Sequence, residues 1–308
     1  MDIGFIGLGK MGSRMAERLL DQGCEVVIYA RNPDSMVPLS QKGAIAANSY
    51  QEFCSKLPSK KIIFLMVTHG KAVDEVIAGL LPFLSAGDII VDGGNSFYKD
   101  SIRRAKQLSK KGIEFLDAGT SGGLDGARNG ASIMVGGNDS AFRKAEPVFA
   151  ALSVPNGYAL LGPSGSGHYA KMAHNGIEYC FLQSLGEGYE LLEKSGFNYD
   201  LRQVTKVYRN GSVIRGWLVD LLARALEKDP KLDGFSGTVG GGSTGEWTLR
   251  SAKDAKVKMP SLQVAMKERA RSQKTPRFNG KVVAALRYEF GGHEEPKRPV
   301  KKKAPAKK

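Results

Sequence analysis

The sequence predicts an α/β domain of parallel sheet and covering helices, followed by an all-α domain. Three observations carry this prediction. Through the first half, short apolar runs rich in β-branched residues alternate with stretches of helical periodicity. The string Gly7-Leu8-Gly9-Lys10-Met11-Gly12 closes the first apolar run and opens the first helical one. Beyond the breaker cluster Gly162-Pro163-Ser164-Gly165 the strand pattern stops, and only helical periodicity continues.

Taken in order, strands are predicted at residues 3–6, 25–29, 61–67, 88–92, 113–117 and 132–135, with apolar runs that suit burial on both faces. Helices are predicted between them at 10–22, with Met11, Met15 and Leu19 on one face, and at 71–84, 98–110 and 140–152. A further apolar run spans 158–161. From 166 to about 195 the pattern is one long helix, which at ~1.5 Å per residue reaches ~45 Å. Shorter helices follow at 201–208, 212–227, 244–256, 261–272 and 281–289. The domains are therefore expected at 1–164 and 165–293. Residues 294–308 form a basic tail whose Pro/Lys composition cannot offset its ordering entropy, so it is expected to be disordered.

Composition narrows the class. Among 308 residues, 42% are hydrophobic and 25% charged, which excludes a fibrous or wholly disordered chain. The formal charge is +14, and the seven Lys/Arg of residues 297–308 supply half of it. These cations could contact phosphates, but no aromatic interleaves them, so a nucleic-acid partner is disfavoured. Cys24, Cys54 and Cys180 are odd in number and far apart, which implies neither a disulfide framework nor a zinc site. His69 and His168 have no ligand spacing either, and no metal is expected. No apolar run approaches the ~18 residues of a membrane span, and the chain opens on a strand pattern, so a cytoplasmic protein without a membrane partner is expected.

The glycine string is a sharper signal because of its context. Between a strand and a helix, the glycines allow a tight turn and a close backbone approach to a pyrophosphate at the helix N-terminus. The first half is thus predicted to be an α/β Rossmann-type dinucleotide-binding domain, followed by the all-α helical domain. At the end of the second strand, where an acid would mark NAD, stand Ala30, Arg31 and Asn32. A guanidinium and no carboxylate favour NADP over NAD, while an arginine stacked on the adenine would leave both usable.

Further segments look chemical. Asp92-Gly93-Gly94-Asn95-Ser96 and Gly119-Thr120-Ser121-Gly122-Gly123 end consecutive strands, where ligands of open α/β sheets bind. In His168-Tyr169-Ala170-Lys171-Met172-Ala173-His174-Asn175-Gly176-Ile177-Glu178-Tyr179, the residues Lys171, Asn175 and Glu178 share one helical face, with His174 beside them. A polar stripe on so apolar a helix points to burial at a domain junction, where desolvation suits a lysine to act as a general base.

With these blocks, and with Leu65-Met66-Val67, Gly126-Ala127-Arg128, Thr244-Gly245-Glu246-Trp247 and Arg287-Tyr288-Glu289-Phe290-Gly291-Gly292-His293, the chain resembles the 6-phosphogluconate dehydrogenases. The resemblance covers residues 1 to about 293 and looks like the short-chain branch of that family. It implies oxidative decarboxylation of 6-phosphogluconate to ribulose 5-phosphate and CO2, in the pentose phosphate pathway and gluconate utilisation. Lys171 is implied as general base and acid, and Glu178 as the acid that protonates C1. The turn residues 7–12, Arg31, Asn32, Val67 and Asn95 are implied at the cofactor. Asn95, Ser121, Gly122, Gly123, His174 and Asn175 are implied to hold the sugar acid, and Tyr179, Thr244 and Arg269 its phosphate. Arg287 and His293 match residues that reach in from a second subunit, which implies a homodimer or higher even oligomer. The chain departs from longer members at Gly242, where they carry a phosphate-binding lysine, and at Glu246 in place of a lysine. The nearest rival is a 3-hydroxyacid dehydrogenase, which shares the turn, the Ser-Gly-Gly segment and the helix lysine. Glu178 and the block from Arg287 to His293 favour the decarboxylating enzyme.

Overall fold

The computed structural model describes residues 1–295, and the expected tail from 296 onward lies outside the described residues. Contacts divide the chain into two compact units, Met1–Asn175 and the residues from Gly176 on. That division falls eleven residues beyond the predicted boundary at 164, inside a helix whose first turns belong to the sheet unit.

The first unit runs β1 (Asp2–Ile6), α1 (Gly12–Asp21), β2 (Glu25–Tyr29), α2 (Val37–Ser40), β3 (Ile45–Ala46), α3 (Tyr50–Ser55), β4 (Ile62–Leu65) and α4 (Lys71–Leu80). It continues through β5 (Ile89–Asp92), α5 (Tyr98–Ser109), β6 (Glu114–Ser121), α6 (Gly123–Asn129), β7 (Ala131–Gly136), α7 (Asp139–Leu152) and β8 (Ser153–Gly162). Strand order is β3-β2-β1-β4-β5-β6-β7-β8. The order reverses between β1 and β4, which opens a crevice at their carboxyl ends. One pairing corrects the expectation of a wholly parallel sheet: β6 and β7 are antiparallel, with Gly119 opposite Met134. Only residues 122–130 join them, too few for the crossover that a parallel pair needs. α2, β3, α3 and α6 were not predicted from sequence, and β3 is only two residues long.

Strand alternation explains why the sheet is covered on both faces. Ile3, Phe5, Phe64 and Val91 are buried in one apolar layer, while Ile6, Ile63, Leu65 and Ile90 are buried in the other. The long helix α8 (Ser166–Glu193) follows, 28 residues against the 30 predicted. In the second unit come α9 (Leu201–Arg209), α10 (Trp217–Lys228), α11 (Ser243–Asp254), α12 (Pro260–Ser272) and α13 (Phe278–Gly291). α10 starts five residues later than predicted, because Gly216 adopts a non-helical backbone ahead of Trp217. Leu182, Tyr189, Leu222, Leu226, Val282 and Leu286 build the core of this unit. Among the described residues every strand precedes Pro163, and no helix is long and apolar enough to cross a membrane.

Close backbone approach seats α8 on the sheet. A Cβ on Gly167 would lie 2.4 Å from the Met134 carbonyl oxygen and 2.5 Å from that of Asp117. Neither backbone atom can yield, so Gly167→Ala is expected to destabilise the protein by about 2–3 kcal/mol. Gly188, in the same helix with nothing within 4 Å of its would-be Cβ, serves as the control. Gly188→Ala is expected to be neutral or stabilising by up to ~1 kcal/mol, both variants being read from urea midpoints.

Candidate active site

The turn from Gly7 to Gly12 connects β1 to α1 as the glycine spacing requires. Gly7 has φ of +99°, and a Cβ on Gly12 would fall 1.9 Å from the Gly7 carbonyl oxygen, so both positions need glycine. A Cβ on Gly9 meets nothing within 4 Å. The middle glycine therefore leaves open backbone, as a turn that takes a pyrophosphate needs. The α1 N-cap, Met11, contributes no side-chain acceptor, and no acid stands in the first turn. The first-turn N–H groups and the helix dipole favour an anion there. These features fit a dinucleotide. Leu8, Lys10 and Met11 flank the same turn, and Val67 packs against Gly7 from the end of β4. After β2, Arg31 and Asn32 are exposed, and the Asn32 Oδ1 accepts the Asp34 N–H at 3.1 Å.

The loop after β5 is held by charge. Asp92 is fully buried; its carboxylate accepts the Ser96 hydroxyl at 2.8 Å, the Gly94 N–H at 3.2 Å and an Arg104 N–H at 3.3 Å. Arg104 is itself buried and also donates to Asp74 at 2.8 Å and to the Gly70 carbonyl at 2.9 Å. A paired, fully hydrogen-bonded guanidinium is the form in which a charge tolerates burial. The result is a rigid loop that carries Asn95 on its exposed side. A Cβ on Gly94 would be 2.8 Å from the Val67 carbonyl, so the loops after β4 and β5 abut.

A second buried carboxylate anchors α8. Asp117 on β6 accepts the Gly165 N–H at 2.6 Å and the His168 N–H at 2.8 Å. It thereby caps the helix N-terminus, where the dipole favours negative charge. Gly119 lacks the Cβ that would stand 2.4 Å from the Cβ of Lys171, so Lys171 sits directly over β6 and is 8% exposed. Around it, His174 Nε2 lies 3.1 Å from the Ser121 hydroxyl. His174 Nδ1 lies 3.1 Å from Asn175 Oδ1 and 3.4 Å from Lys171 Nζ, so it can donate to one or accept from the other, not both. Burial, and then the neighbouring Lys171 charge, push the His174 imidazole below its ordinary value, which keeps it neutral at pH 7. Gly122 and Gly123 carry the chain with positive φ from β6 into α6.

In the helical unit, Tyr179 on α8 lies under the Arg269 guanidinium, 3.9 Å from ring centroid to Cζ. Arg269 is 7% exposed, and its Nη1 is buried without a hydrogen-bond partner among the described residues. Burial and the nearby Arg269 charge push Arg287 down to about 10, with Tyr179 and Glu178 acting in the opposite sense. Guanidinium groups suit an anion, since their planar forks match a phosphate. Gly241 stands against Arg287, and Gly245 of α11 against the Tyr179 ring, while Thr244 is buried in the first turn of α11. Val282, Val283, Ala285 and Leu286 bury α13 in the core of the helical unit, and this fixes where Arg287 leaves the helix. His293 follows α13, with its ring at the edge of Phe290.

The structure thus gathers the turn, Val67 and the Asn95 loop, and separately Ser121, Lys171, His174 and Asn175, within the first unit. Glu178, Tyr179, Arg269 and Arg287 gather in the second. Sequence reasoning placed Asp92 and His168 in its chemical segments without giving them a role, and it missed Arg104 and Asp117. An acid closing an apolar run was the available signal for both aspartates.

Comparison with known proteins supplies the family. Residues 2–161 match the NAD binding domain of 6-phosphogluconate dehydrogenase, and residues 167–287 match the C-terminal domain of that enzyme. The chain is 46% identical to the YqeC protein of Bacillus subtilis, over 97% of this chain and 100% of that one. It is 42% identical to the NAD(+)-dependent, decarboxylating 6-phosphogluconate dehydrogenase of Haloferax volcanii, over 96% of this chain and 98% of that one. The solved 6-phosphogluconate dehydrogenase of Plasmodium falciparum superposes with a TM-score of 0.81 at 31% identity, over 88% of this chain and 62% of that longer one. Matched by both domain models and by relatives along almost its whole length, this chain belongs to the 6-phosphogluconate dehydrogenase family.

Proposed function

We propose that the protein oxidatively decarboxylates 6-phospho-D-gluconate to D-ribulose 5-phosphate and CO2, as a cytoplasmic enzyme of the pentose phosphate pathway and gluconate utilisation. The observation that carries this reading is the buried Arg269 guanidinium over the Tyr179 ring, with the half-buried Arg287 in the same helical unit as Glu178. A small hydroxy acid without a phosphate gives no use to such a site, which weighs against a 3-hydroxyacid dehydrogenase.

The chain's own residues divide the work. Lys171, buried over Gly119, takes the proton of the substrate's C3 hydroxyl as that carbon is oxidised. A nicotinamide dinucleotide on the 7–12 turn supplies the two-electron acceptor. The 3-keto acid then loses CO2, and the protonated Lys171 polarises the carbonyl that stabilises the enediol. Glu178, seven residues along the same helix, delivers a proton to C1. Ser121, His174, Asn175 and Asn95 orient the sugar acid, with Gly122 and Gly123 offering backbone N–H groups. Tyr179, Thr244, Arg269, Arg287 and His293 hold the phosphate end. We further propose NADP as the preferred cofactor, because exposed Arg31 stands two residues beyond β2 and the intervening Ala30 presents no carboxylate to repel a 2′-phosphate. A homodimer is the proposed assembly. Ile177, Phe181 and Leu191 stay exposed along one ridge of α8 and suit a partner helix.

Three outcomes are expected. Lys171→Met should lower kcat by a factor of about 10² to 10⁴ in paired absorbance and CO2 assays, the usual contribution of a general base. Retention of more than a tenth of the wild-type rate would remove Lys171 from the chemistry. Arg269→Met should raise KM for 6-phosphogluconate by roughly 10- to 100-fold, the value of a charge-assisted hydrogen bond. Cofactor choice is read from kcat/KM with each nucleotide, and a higher value with NAD than with NADP overturns the assignment to Arg31.

A further inference from the structure

His168 is absorbed by no role above, yet it is among the most constrained side chains of the first unit. It is 1% exposed, one helical turn before Lys171 on α8. Its Nε2 lies 2.9 Å from the Gly94 carbonyl oxygen, and its Nδ1 lies 2.7 Å from the Ser101 hydroxyl of α5. A carbonyl oxygen can only accept, so Nε2 carries the proton. The Nδ1 lone pair then accepts from Ser101, itself fully buried. Both ring nitrogens are thereby satisfied, and the backbone N–H is held by Asp117. A buried imidazole this fully committed acts as a fixed strut.

What the strut joins is informative. At one end is the helical turn that presents Lys171, pinned to β6 through Asp117 and Gly119. At the other is the peptide of Gly94, immediately before Asn95. Arg104 grips that loop through Asp92, and His168 grips it through Gly94. The loop packs on Val67, next to the glycine turn.

We propose that His168 is a positioning residue: through Gly94 it sets the distance between the Lys171 turn and the loop that carries Asn95. It touches neither substrate nor cofactor. Its effect is on alignment for the oxidation step, in which the C3 hydroxyl proton leaves to Lys171 and the hydrogen on C3 leaves as hydride to the two-electron acceptor. This rests on the proposed function above.

The test uses two isosteres of different reach. A glutamine amide nitrogen can take the place of Nε2 and keep the bond to Gly94, whereas an asparagine amide reaches only the Nδ1 position and loses it. His168→Asn is expected to lower kcat by about 10- to 100-fold, the scale of an ångström's misalignment. It should also raise the primary isotope effect with 3-deuterated 6-phosphogluconate, because hydrogen transfer becomes slower relative to product release. His168→Gln should restore kcat to within roughly three-fold of wild type at the same alignment scale. Ser101→Ala, which spares Gly94, should leave the isotope effect unchanged. Hydrogen–deuterium exchange at residues 93–96 should rise in the Asn variant and return to wild-type protection in the Gln variant. An Asn variant with wild-type kcat and unchanged exchange overturns the proposal. So does a rate loss that follows melting temperature alone in both variants, with no change in isotope effect. If the wild-type protein releases no CO2 from 6-phosphogluconate, the functional reading fails by itself. The exchange measurement then decides the coupling, and unchanged protection in His168→Asn refutes it.

Discussion

The buried carboxylate of Asp117 is the contact on which the first unit's chemistry depends. It sits in the middle of β6 and spends both oxygens on N–H groups at the start of α8. A full negative charge inside a protein survives only when hydrogen-bonded donors replace water. Here those donors are the orphan amides of a helix terminus, so two liabilities cancel. Since the helix must begin where Asp117 meets it, Lys171 has little freedom in where it lies over β6. Glycines at 119, 136 and 167 remove the side chains that would hold the helix off. Removing Asp117 leaves the terminus uncapped, and removing the helix leaves the carboxylate unpaired.

A similar economy operates at Asp92. Its partner Arg104 gathers the loops after β4 and β5 together with Asp74 of α4. The two aspartates face each other in the sheet register, Asp92 as the last residue of β5 and Asp117 midway along the longer β6. One orders a loop and the other a helix. The crevice side of the sheet is thus held by buried charge, while the strands behind it are held by Ile, Val and Phe.

How far this was legible in the sequence follows from the range of each interaction. The glycine turn is local, so six consecutive residues disclose both the strand before it and the helix after it. The long helix is equally plain, because its periodicity persists over eight turns. Lys171, Asn175 and Glu178 share a face by arithmetic alone. The antiparallel return of β7 was not legible, since apolar strands of either direction read alike. Nor were the partners of His168, which lie 67 and 74 residues away in sequence. The stand of Arg287 beside Arg269 depends on how α12 and α13 pack, which no spacing rule encodes. In general the catalytic candidates announced themselves by type and period, and the residues that hold them in place did not.

The arginine pair has a thermodynamic corollary. Like charges brought together in a folded unit separate when the chain unfolds, so their mutual repulsion is a debt of the native state alone. A dianion that settles between them cancels it and binds the native form only, so ligand concentration becomes a stability variable. The helical unit would then be at its most fragile with the pair empty and most robust with an anion held between the two guanidinium groups.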